Sequence, residues 1–248
     1  MKLLLSLAFI CLPMLTVQQA KITVYLVGDS TMANKPVTVY PETGWGMPFA
    51  TFFDSTVVVE NHAMNGRSTR TFLSENRWQP IVDKLREGDY VFMQFGHNDE
   101  SKEKTDRYTT PENYKKNLVK LITETRAKKA IPVLLTPVSR RKFKDGVQQE
   151  THMEYSGLAA EVAKEQQVAF IDLDTQSRAL LQEFGEEHSK LLFLQTRPGE
   201  HPNYPEGKED NTHFSELGAR KIAQIVLQHV KDLNLGLATR IRKPVIKK

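Results

Sequence analysis

Short apolar runs alternate along the chain with longer segments in which apolar residues recur at helical spacing. Five of the runs are rich in β-branched and aromatic residues and are bounded by polar turns, which predicts buried strands. They lie at 24–27, 56–62, 90–95, 131–136 and 168–173. Helical spacing is found near 44–53, 80–86, 111–129, 150–166, 175–188 and 215–233.

Strands that alternate with helices predict an α/β fold, in which a parallel sheet carries helices on both faces. Right-handed crossovers between five strands favour the flavodoxin-like order 2-1-3-4-5, a three-layer α/β/α arrangement. In this order the carboxyl ends of the first and third strands are neighbours and flank the switch point of the sheet, where ligands bind. The turns that follow these strands are therefore candidates for a functional site.

Polar turns follow the first three predicted strands. The first strand ends in Gly28-Asp29-Ser30, the second leads into a loop centred on Gly66, and the third ends in Gly96-His97-Asn98-Asp99. We expect these three turns to meet at one crevice. Asp29 is expected to hold its turn through backbone N–H groups, and His97 is expected to be structural rather than catalytic.

Ser30 is a candidate nucleophile, and a serine hydroxyl needs an adjacent base and a group that orients that base. Asp210-x-x-His213 offers both, because residues three apart on a helical turn bring a carboxylate to an imidazole Nδ1. The backbone amides of Ser30 and Gly66 and the side-chain amide of Asn98 are candidate donors to a developing oxyanion. The residues thus supply each role that acyl transfer requires.

Four blocks in order resemble the SGNH (GDSL-type) hydrolase superfamily: Gly28-Asp29-Ser30, Gly66, Gly96-x-Asn98-Asp99 and Asp210-x-x-His213. A narrower resemblance, to the rhamnogalacturonan acetylesterases, rests on three longer stretches. These are 28–32, 61–63 together with 66–72, and 95–99. One departure is Asn65, at a position where this family leads us to expect a second glycine before Gly66.

This resemblance implies a flavodoxin-like domain with Ser30 as nucleophile, His213 as base and Asp210 as its orienting carboxylate. It also implies an oxyanion hole formed by Ser30, Gly66 and Asn98, with no metal and no cofactor. The implied reaction is removal of O-acetyl groups from acetylated pectic polysaccharide or oligosaccharide through an acetyl-serine intermediate. Acetylated xylan or another acetylated glycan is the alternative substrate.

Candidate substrate-binding residues are fewer and less specific. Guanidinium groups suit galacturonate carboxylates, which makes Arg67, Arg70 and Arg140 candidates, although solvated surface arginines are equally compatible with the sequence. Trp45 is a candidate for stacking on a sugar ring, against the commoner alternative of a buried tryptophan. His201, in the Pro/Gly-rich loop at 195–212, is a candidate for lining the site.

Other classes of function remain as alternatives. A metal hydrolase would use His97, Asp99, His201, Asp210 and His213, but the chain lacks H-E-x-x-H and tight Cys/His spacings. A non-enzymatic carbohydrate-binding protein would leave the Asp210 and His213 pair without a purpose. The α/β-hydrolase fold is disfavoured because Ser30 does not lie in G-x-S-x-G.

Composition and charge agree with one soluble domain. The chain has 248 residues, of which 40% are apolar and 26% charged, with a formal net charge of +4. We predict a single esterase domain at 21–238 followed by a basic, solvated tail at 239–248. The small positive excess, concentrated in that tail, is too little to predict nucleic-acid binding.

The N-terminus has the pattern of a secretory signal peptide. Lys2 precedes an apolar run at 3–15, and Ala20 offers a small residue at a cleavage point. We therefore expect residues 1–20 to be removed and the protein to be exported, to the periplasm or the medium, with no membrane association afterwards. The single cysteine, Cys11, lies in this segment, so the mature chain would have no disulfide.

Overall fold

The computed structural model describes residues 20–243, and a five-stranded parallel sheet lies at its centre. In chain order the strands are β1 (Ile22–Gly28), β2 (Val57–Asn61), β3 (Tyr90–Gln94), β4 (Ile131–Leu135), β5 (Phe143–Lys144), β6 (Val147–Gln148), β7 (Ala169–Ile171), β8 (Phe193–Thr196) and β9 (Lys208–Phe214). The central sheet has the order β2-β1-β3-β4-β7, so the predicted flavodoxin-like α/β fold is confirmed. The predicted signal peptide, apart from Ala20, lies outside the described residues.

The register of the sheet places the ends of its strands at one edge. Leu26 of β1 is the partner of Asn61 in β2, and Gly28 of β1 is the partner of Gln94 in β3. All three strands run parallel, so the turns that follow them leave the sheet side by side. This is the crevice that the sequence pattern predicts.

In the part of the chain that the structure describes, seven α-helices flank the sheet, and their apolar faces form two cores. In chain order they are α1 (Gly46–Phe49), α2 (Thr69–Ser74), α3 (Gln79–Lys84), α4 (Pro111–Ala127), α5 (Met153–Glu165), α6 (Leu173–His188) and α7 (Glu216–Asp232). Helices α3, α4 and α5 bury apolar side chains in one core, and α1, α6 and α7 bury theirs in the other. The two cores lie on opposite faces of the sheet because successive side chains of a strand point in opposite directions.

Helix α7 shows how sequence sets the position of an element near the crevice. Ser215 caps its start by accepting a hydrogen bond from the Gly218 amide at 3.2 Å. A Cβ on Gly218 would lie 1.8 Å from the carbonyl oxygen of Leu192, so only glycine permits this approach of the helix to the chain before β8. Ile222, Val226 and Val230 continue the buried face of the helix.

Two antiparallel hairpins were not expected from the sequence. β5 pairs with β6 inside the basic loop that follows β4, and β8 pairs with β9 across the segment predicted as the loop 195–212. β5, β6 and β8 have only two, two and four residues, and β9 is polar except at Phe214, which is why the pattern did not reveal them. Helix α2 was missed for the same reason, since it is a single short helix after the Gly66 loop.

The predicted boundary at residue 238 is corrected by the contacts of the residues that follow it. Ile241 pairs with Phe53, and Arg242 donates from its backbone to Phe52 O at 2.9 Å and from Nε to Phe53 O at 2.6 Å. Arg240 donates to Thr56 Oγ1 at 2.8 Å. The domain therefore extends at least through residue 242, because this segment satisfies backbone groups next to β2.

Residues 20–243 lack two features that would bear on function. None of the helices in this part of the chain has the length and apolar character needed to cross a membrane. In the same residues, no group of three or more His, Cys, Asp or Glu side chains is arranged to hold a metal ion. His97, Asp99, His201, Asp210 and His213 therefore do not form the cluster that the metal-hydrolase alternative requires.

Candidate active site

The turn after β1 presents Ser30 at the edge of the sheet. Asp29 is fully buried, and its Oδ1 accepts hydrogen bonds from the Thr31 amide at 2.9 Å and the Thr31 hydroxyl at 2.8 Å. Burial raises the pKa of the Asp29 carboxyl, and these hydrogen bonds oppose that rise. The expectation that Asp29 holds the turn is confirmed, and the turn leaves Ser30 itself 8% exposed.

Ser30, His213 and Asp210 lie in one hydrogen-bonded chain. His213 Nε2 lies 2.9 Å from Ser30 Oγ, and His213 Nδ1 lies 2.8 Å from Asp210 Oδ2. With Nδ1–H donating to the carboxylate, a neutral imidazole has Nε2 free to accept the serine proton. The three residues singled out in the sequence are therefore brought together in the geometry that activates a hydroxyl nucleophile.

The carboxyl group of Asp210 is held in its ionised form. Partial burial acts to raise its pKa, but the hydrogen bonds from the His213 ring and from the backbone of His213 and Thr212 lower it to about 2. The two backbone amides donate to Oδ1 at 2.9 Å and 2.7 Å, while Oδ2 faces the imidazole. Oδ1 therefore fixes the loop, and Oδ2 orients the histidine ring.

The expectation that a helical turn brings Asp210 to His213 is wrong, because both residues lie in strand β9. Phe193 of β8 pairs with Phe214, whereas Gln195 pairs with Glu209, so two steps along β8 match five along β9. Residues 210–213 thus lie opposite the single residue Leu194 and form a bulge. A bulge re-aims side chains that regular alternation would send to opposite faces, and here it brings the carboxylate and the imidazole together.

The candidate oxyanion donors border the same point. Gly66 has a φ of +76°, a conformation that favours glycine, and Asn98 is 8% exposed. Within residues 20–243, neither the Ser30 amide nor the Gly66 amide donates a hydrogen bond to a protein acceptor. Asn98 Nδ2 donates to Arg67 O at 3.0 Å, which ties the turn after β3 to the Gly66 loop. The two free amides are thus available to a ligand.

A pocket of about 810 Å³ opens over these groups. Its wall carries both charges, and its lining includes Ser30, Glu42, Asn65, Gly66, Arg67, Thr71, Glu75, His97, Asn98, Lys104, Asp106, Arg107, Arg140, Asp210, Thr212 and His213. Four cationic and four anionic side chains in this lining suit a polar substrate better than a lipid. The volume lies within the range of small-molecule and cofactor sites, about 300–1,000 Å³.

Of the predicted substrate-binding residues, Arg67 and Arg140 line this pocket. Trp45 is fully buried with its Nε1 donating to Gln94 Oε1 at 2.6 Å, so the prediction that it stacks on a sugar is wrong. Arg70 points away and donates to Thr105 O at 2.7 Å. His201 borders a neighbouring cavity, where its ring lies 5.5 Å from that of Tyr40. These three predictions are corrected because residue type does not show which way a side chain points.

Lys104, Arg107 and Arg140 line the pocket, and sequence reasoning did not single out the first two. Both come from the charged segment after the third strand, and a Cβ on Gly66 would lie 2.9 Å from Arg107 Nη1. The density of charge in this segment, at the carboxyl edge of the sheet, was the available signal. His97 also borders the pocket, but burial lowers the pKa of its ring well below the usual value, which favours the expected structural role.

Comparison with known proteins assigns the class. The model of the GDSL-like lipase/acylhydrolase family matches residues 26–221, and the chain belongs to this family of carboxylic ester hydrolases. It is 42% identical to the rhamnogalacturonan acetylesterase RhgT of Bacillus subtilis, over 87% of this chain and 92% of the relative. It is 37% identical to a second Bacillus subtilis protein, the probable rhamnogalacturonan acetylesterase YesY, over 89% of this chain and 97% of the relative.

Solved structures agree on the fold. The YxiM protein of Bacillus subtilis superposes with a TM-score of 0.75 at 25% identity, covering 88% of this chain and 58% of that chain. A mutant of the acetylxylan esterase Axe2 from Geobacillus stearothermophilus superposes with a TM-score of 0.63 at 15% identity, covering 91% and 98%. At that low identity the second likeness concerns the architecture alone.

Proposed function

We propose that this protein is a serine esterase that removes O-acetyl groups from rhamnogalacturonan. The observation that carries the proposal is the chain of two hydrogen bonds, 2.9 Å from Ser30 Oγ to His213 Nε2 and 2.8 Å from His213 Nδ1 to Asp210 Oδ2. It lies in the polar pocket of about 810 Å³ at the carboxyl edge of the sheet. Membership of an acylhydrolase family supports the same reaction class.

In the first half of the proposed reaction, Ser30 Oγ attacks the acetyl carbonyl carbon while its proton passes to His213 Nε2. Asp210 holds the ring in the tautomer that accepts this proton and stabilises the imidazolium that results. The carbonyl oxygen becomes negative, and the amides of Ser30 and Gly66 with Asn98 Nδ2 donate to it. The bond to the sugar oxygen then breaks, and His213 returns the proton to that leaving oxygen.

The second half releases acetate. Water loses a proton to His213 as its oxygen attacks the acetyl-Ser30 carbonyl carbon, and the bond between this carbon and Ser30 Oγ breaks. The proton on His213 then goes to Ser30 Oγ, which restores the starting hydroxyl. Deprotonated acetate leaves with the release of the remaining proton, so each turnover consumes one ester and one water.

The pectic substrate is supported by two separate lines. Relatives that are 42% and 37% identical over almost their whole length carry the names of rhamnogalacturonan acetylesterases. Arg67, Lys104 and Arg107 line the pocket beside Ser30, and galacturonate residues of such a polymer offer carboxylates to cationic groups. The xylose backbone of acetylated xylan carries no carboxylates, so these cations would have no charged partner on it.

The test is acetate release from acetylated rhamnogalacturonan and, in parallel, from acetylated xylan, with Ser30→Ala as the matched control. We expect release mainly from the pectic polymer, and we expect the variant to reduce it by about 10⁶-fold. Serine-dependent release mainly from xylan would keep the mechanism and overturn the substrate. Glycan binding without acetate release would instead favour a carbohydrate-binding protein.

We also propose that the protein is exported after removal of residues 1–20. The support is the charged, apolar and small-residue pattern at the N-terminus. The intact mass of the protein recovered from the periplasm and from the medium tests this. A mature chain that starts at Lys21 is the expected result, and recovery of the full-length chain from the cytoplasm alone would overturn it.

A further inference from the structure

One buried cation next to the pocket has no role in the proposed deacetylation. The side chain of Lys35 is 1% exposed, although lysine is seldom buried, and its Nζ lies 2.6 Å from Glu42 Oε1. The same Nζ donates to Asn65 Oδ1 at 2.7 Å. Lys35 lies five residues after Ser30 in the same loop, and Glu42 and Asn65 line the pocket.

Burial fixes the position of this ammonium group. A charge removed from water is costly unless it is paired and hydrogen-bonded, and Glu42 supplies the opposite charge with its own side chain 13% exposed. The Lys35 side chain is therefore held in one place rather than moving freely at the surface. It offers Asn65 a rigid donor, which a solvated lysine would not do.

Asn65 connects this rigid donor to the candidate oxyanion hole. It immediately precedes Gly66, whose positive φ of +76° turns the chain at this point. Asn65 is exposed, but both of its oxygens are held, because its carbonyl oxygen also accepts from Arg67 Nη1 at 2.8 Å. The peptide that links Asn65 to Gly66 thus has an anchor at the side chain and another at the carbonyl group.

We infer that Lys35, acting through Asn65 Oδ1, is a positioning residue that directs the Gly66 amide toward the oxyanion. This inference rests on the proposed function, in which that amide donates to the developing negative charge. It also accounts for the asparagine found where a second glycine was expected. A glycine would have no side chain for Lys35 to hold, so this chain gains a contact that restricts an otherwise flexible turn.

The experiment compares Asn65→Ala, Lys35→Met and the double variant, using acetate release from acetylated rhamnogalacturonan. Each single variant should lower kcat by about tenfold and leave KM within about twofold, because the contact acts on the transition state. The double variant should be no slower than the slower single variant, since both changes remove one hydrogen bond. Asn65→Asp keeps an oxygen acceptor for Lys35 and should recover most of the loss seen in Asn65→Ala.

Two variants keep the result interpretable. Lys35→Met leaves Glu42 without its partner, so Lys35→Met/Glu42→Gln is measured beside it, while Asn65→Ala changes only an exposed side chain. Lys84→Met, whose side chain is 61% exposed on α3, is the matched lysine control and should retain wild-type kcat. All variants are compared with wild type by melting temperature.

Folded Asn65→Ala with wild-type kcat would overturn the inference, and so would losses that multiply in the double variant. A change confined to KM would also overturn it. Failure of the proposed function has a different signature, because Ser30→Ala would then keep its activity whatever the Lys35 and Asn65 variants do.

Discussion

The two sides of the pocket are built in different ways. Ser30 and Asn98 lie in turns that continue directly from β1 and β3, and the aspartates in those turns, Asp29 and Asp99, are fully buried. The side chains of His213 and Asp210 are 28% and 18% exposed, and they lie on a bulge in a two-stranded hairpin outside the central sheet. The sheet side, with Ser30 and Asn98, depends on the core of the sheet. The hairpin side, with Asp210 and His213, depends on polar contacts at the surface.

The contacts of the hairpin side show what replaces burial. Asp210 Oδ1 accepts two backbone amides within the bulge, and Arg140 Nη1 donates to Thr212 Oγ1 at 2.9 Å. The backbone of Arg141 donates to Asn211 O at 2.9 Å. Since both arginines follow β4, they tie the bulge to the central sheet. Substitutions on this side should therefore cost activity more than stability, and those on the sheet side should affect both.

The largest effect that tests this contrast is expected from Asp210→Asn. The amide cannot stabilise the imidazolium and favours the wrong tautomer of His213, so kcat should fall by about 10⁴-fold. The pKa of Asp210, about 2, keeps the carboxylate ionised down to strongly acidic pH, so wild-type activity should not be lost through this group above pH 3. Asp83→Asn, at an exposed position of α3, is the control.

Asp210→Asn should nevertheless remain folded. The pKa of the Asp210 carboxyl is lower in the folded protein than in the unfolded chain. The stability that this carboxylate contributes is therefore present above pH 3.8 and is lost as pH falls toward 2. At neutral pH we expect a modest decrease in melting temperature beside a very large decrease in kcat. Global unfolding of the variant would contradict the view that the hairpin side carries function more than fold.

A smaller effect is expected on the sheet side from Asn98→Ala. Removing one oxyanion donor costs about 10²–10³-fold in kcat. Because Asn98 Nδ2 also holds Arg67 O at 3.0 Å, the variant should lose stability as well. Acetate release and thermal melting of the same preparation measure both quantities. Loss of activity equal to that of Ser30→Ala would show that Asn98 has a role beyond one donor.

The contact between the two sides is tested by Arg140→Gln. Arg140 joins Thr212 to Glu100, which lies 3.5 Å from its Nη2, so its loss should let the bulge move relative to Ser30. We expect kcat to fall by about fivefold to tenfold, the order of one charged hydrogen bond, with a melting temperature close to wild type. Arg220→Gln, an exposed arginine on α7, is the control and should retain wild-type kcat.

The same contrast explains what the sequence could reveal. The sheet side was predicted residue by residue, because an apolar run that stops at Gly28-Asp29-Ser30 marks both a buried strand and the turn beyond it. The order of the strands then followed from general rules of crossover and handedness. Burial leaves a strong pattern in sequence, so the part of the site that depends on burial was the predictable part.

The hairpin side left no such pattern. β9 reads Lys-Glu-Asp-Asn-Thr-His-Phe, which has no alternation of apolar and polar residues, and its bulge depends on pairing with β8 rather than on local preference. Asp210 and His213 were identified through spacing and resemblance, but with the wrong local structure. Trp45 was misjudged because the fold buries it and gives its Nε1 a partner in β3, Gln94. Lys35 was missed because its partners, Glu42 and Asn65, are brought to it by the fold.

The smallest effect, one on stability alone, is expected from Asp99→Asn on the sheet side. Asp99 is fully buried, and burial raises the pKa of its carboxyl to about 7 even though Thr69 donates to it. A raised pKa means that its contribution to stability is complete below pH 3.8 and is lost as pH rises through 7. The asparagine cannot ionise, so the melting temperature of the variant relative to wild type should increase from pH 4 to about pH 7 and then level off. A difference that stays constant over this range would show that Asp99 ionises without cost, and that burial does not govern the sheet side of the pocket.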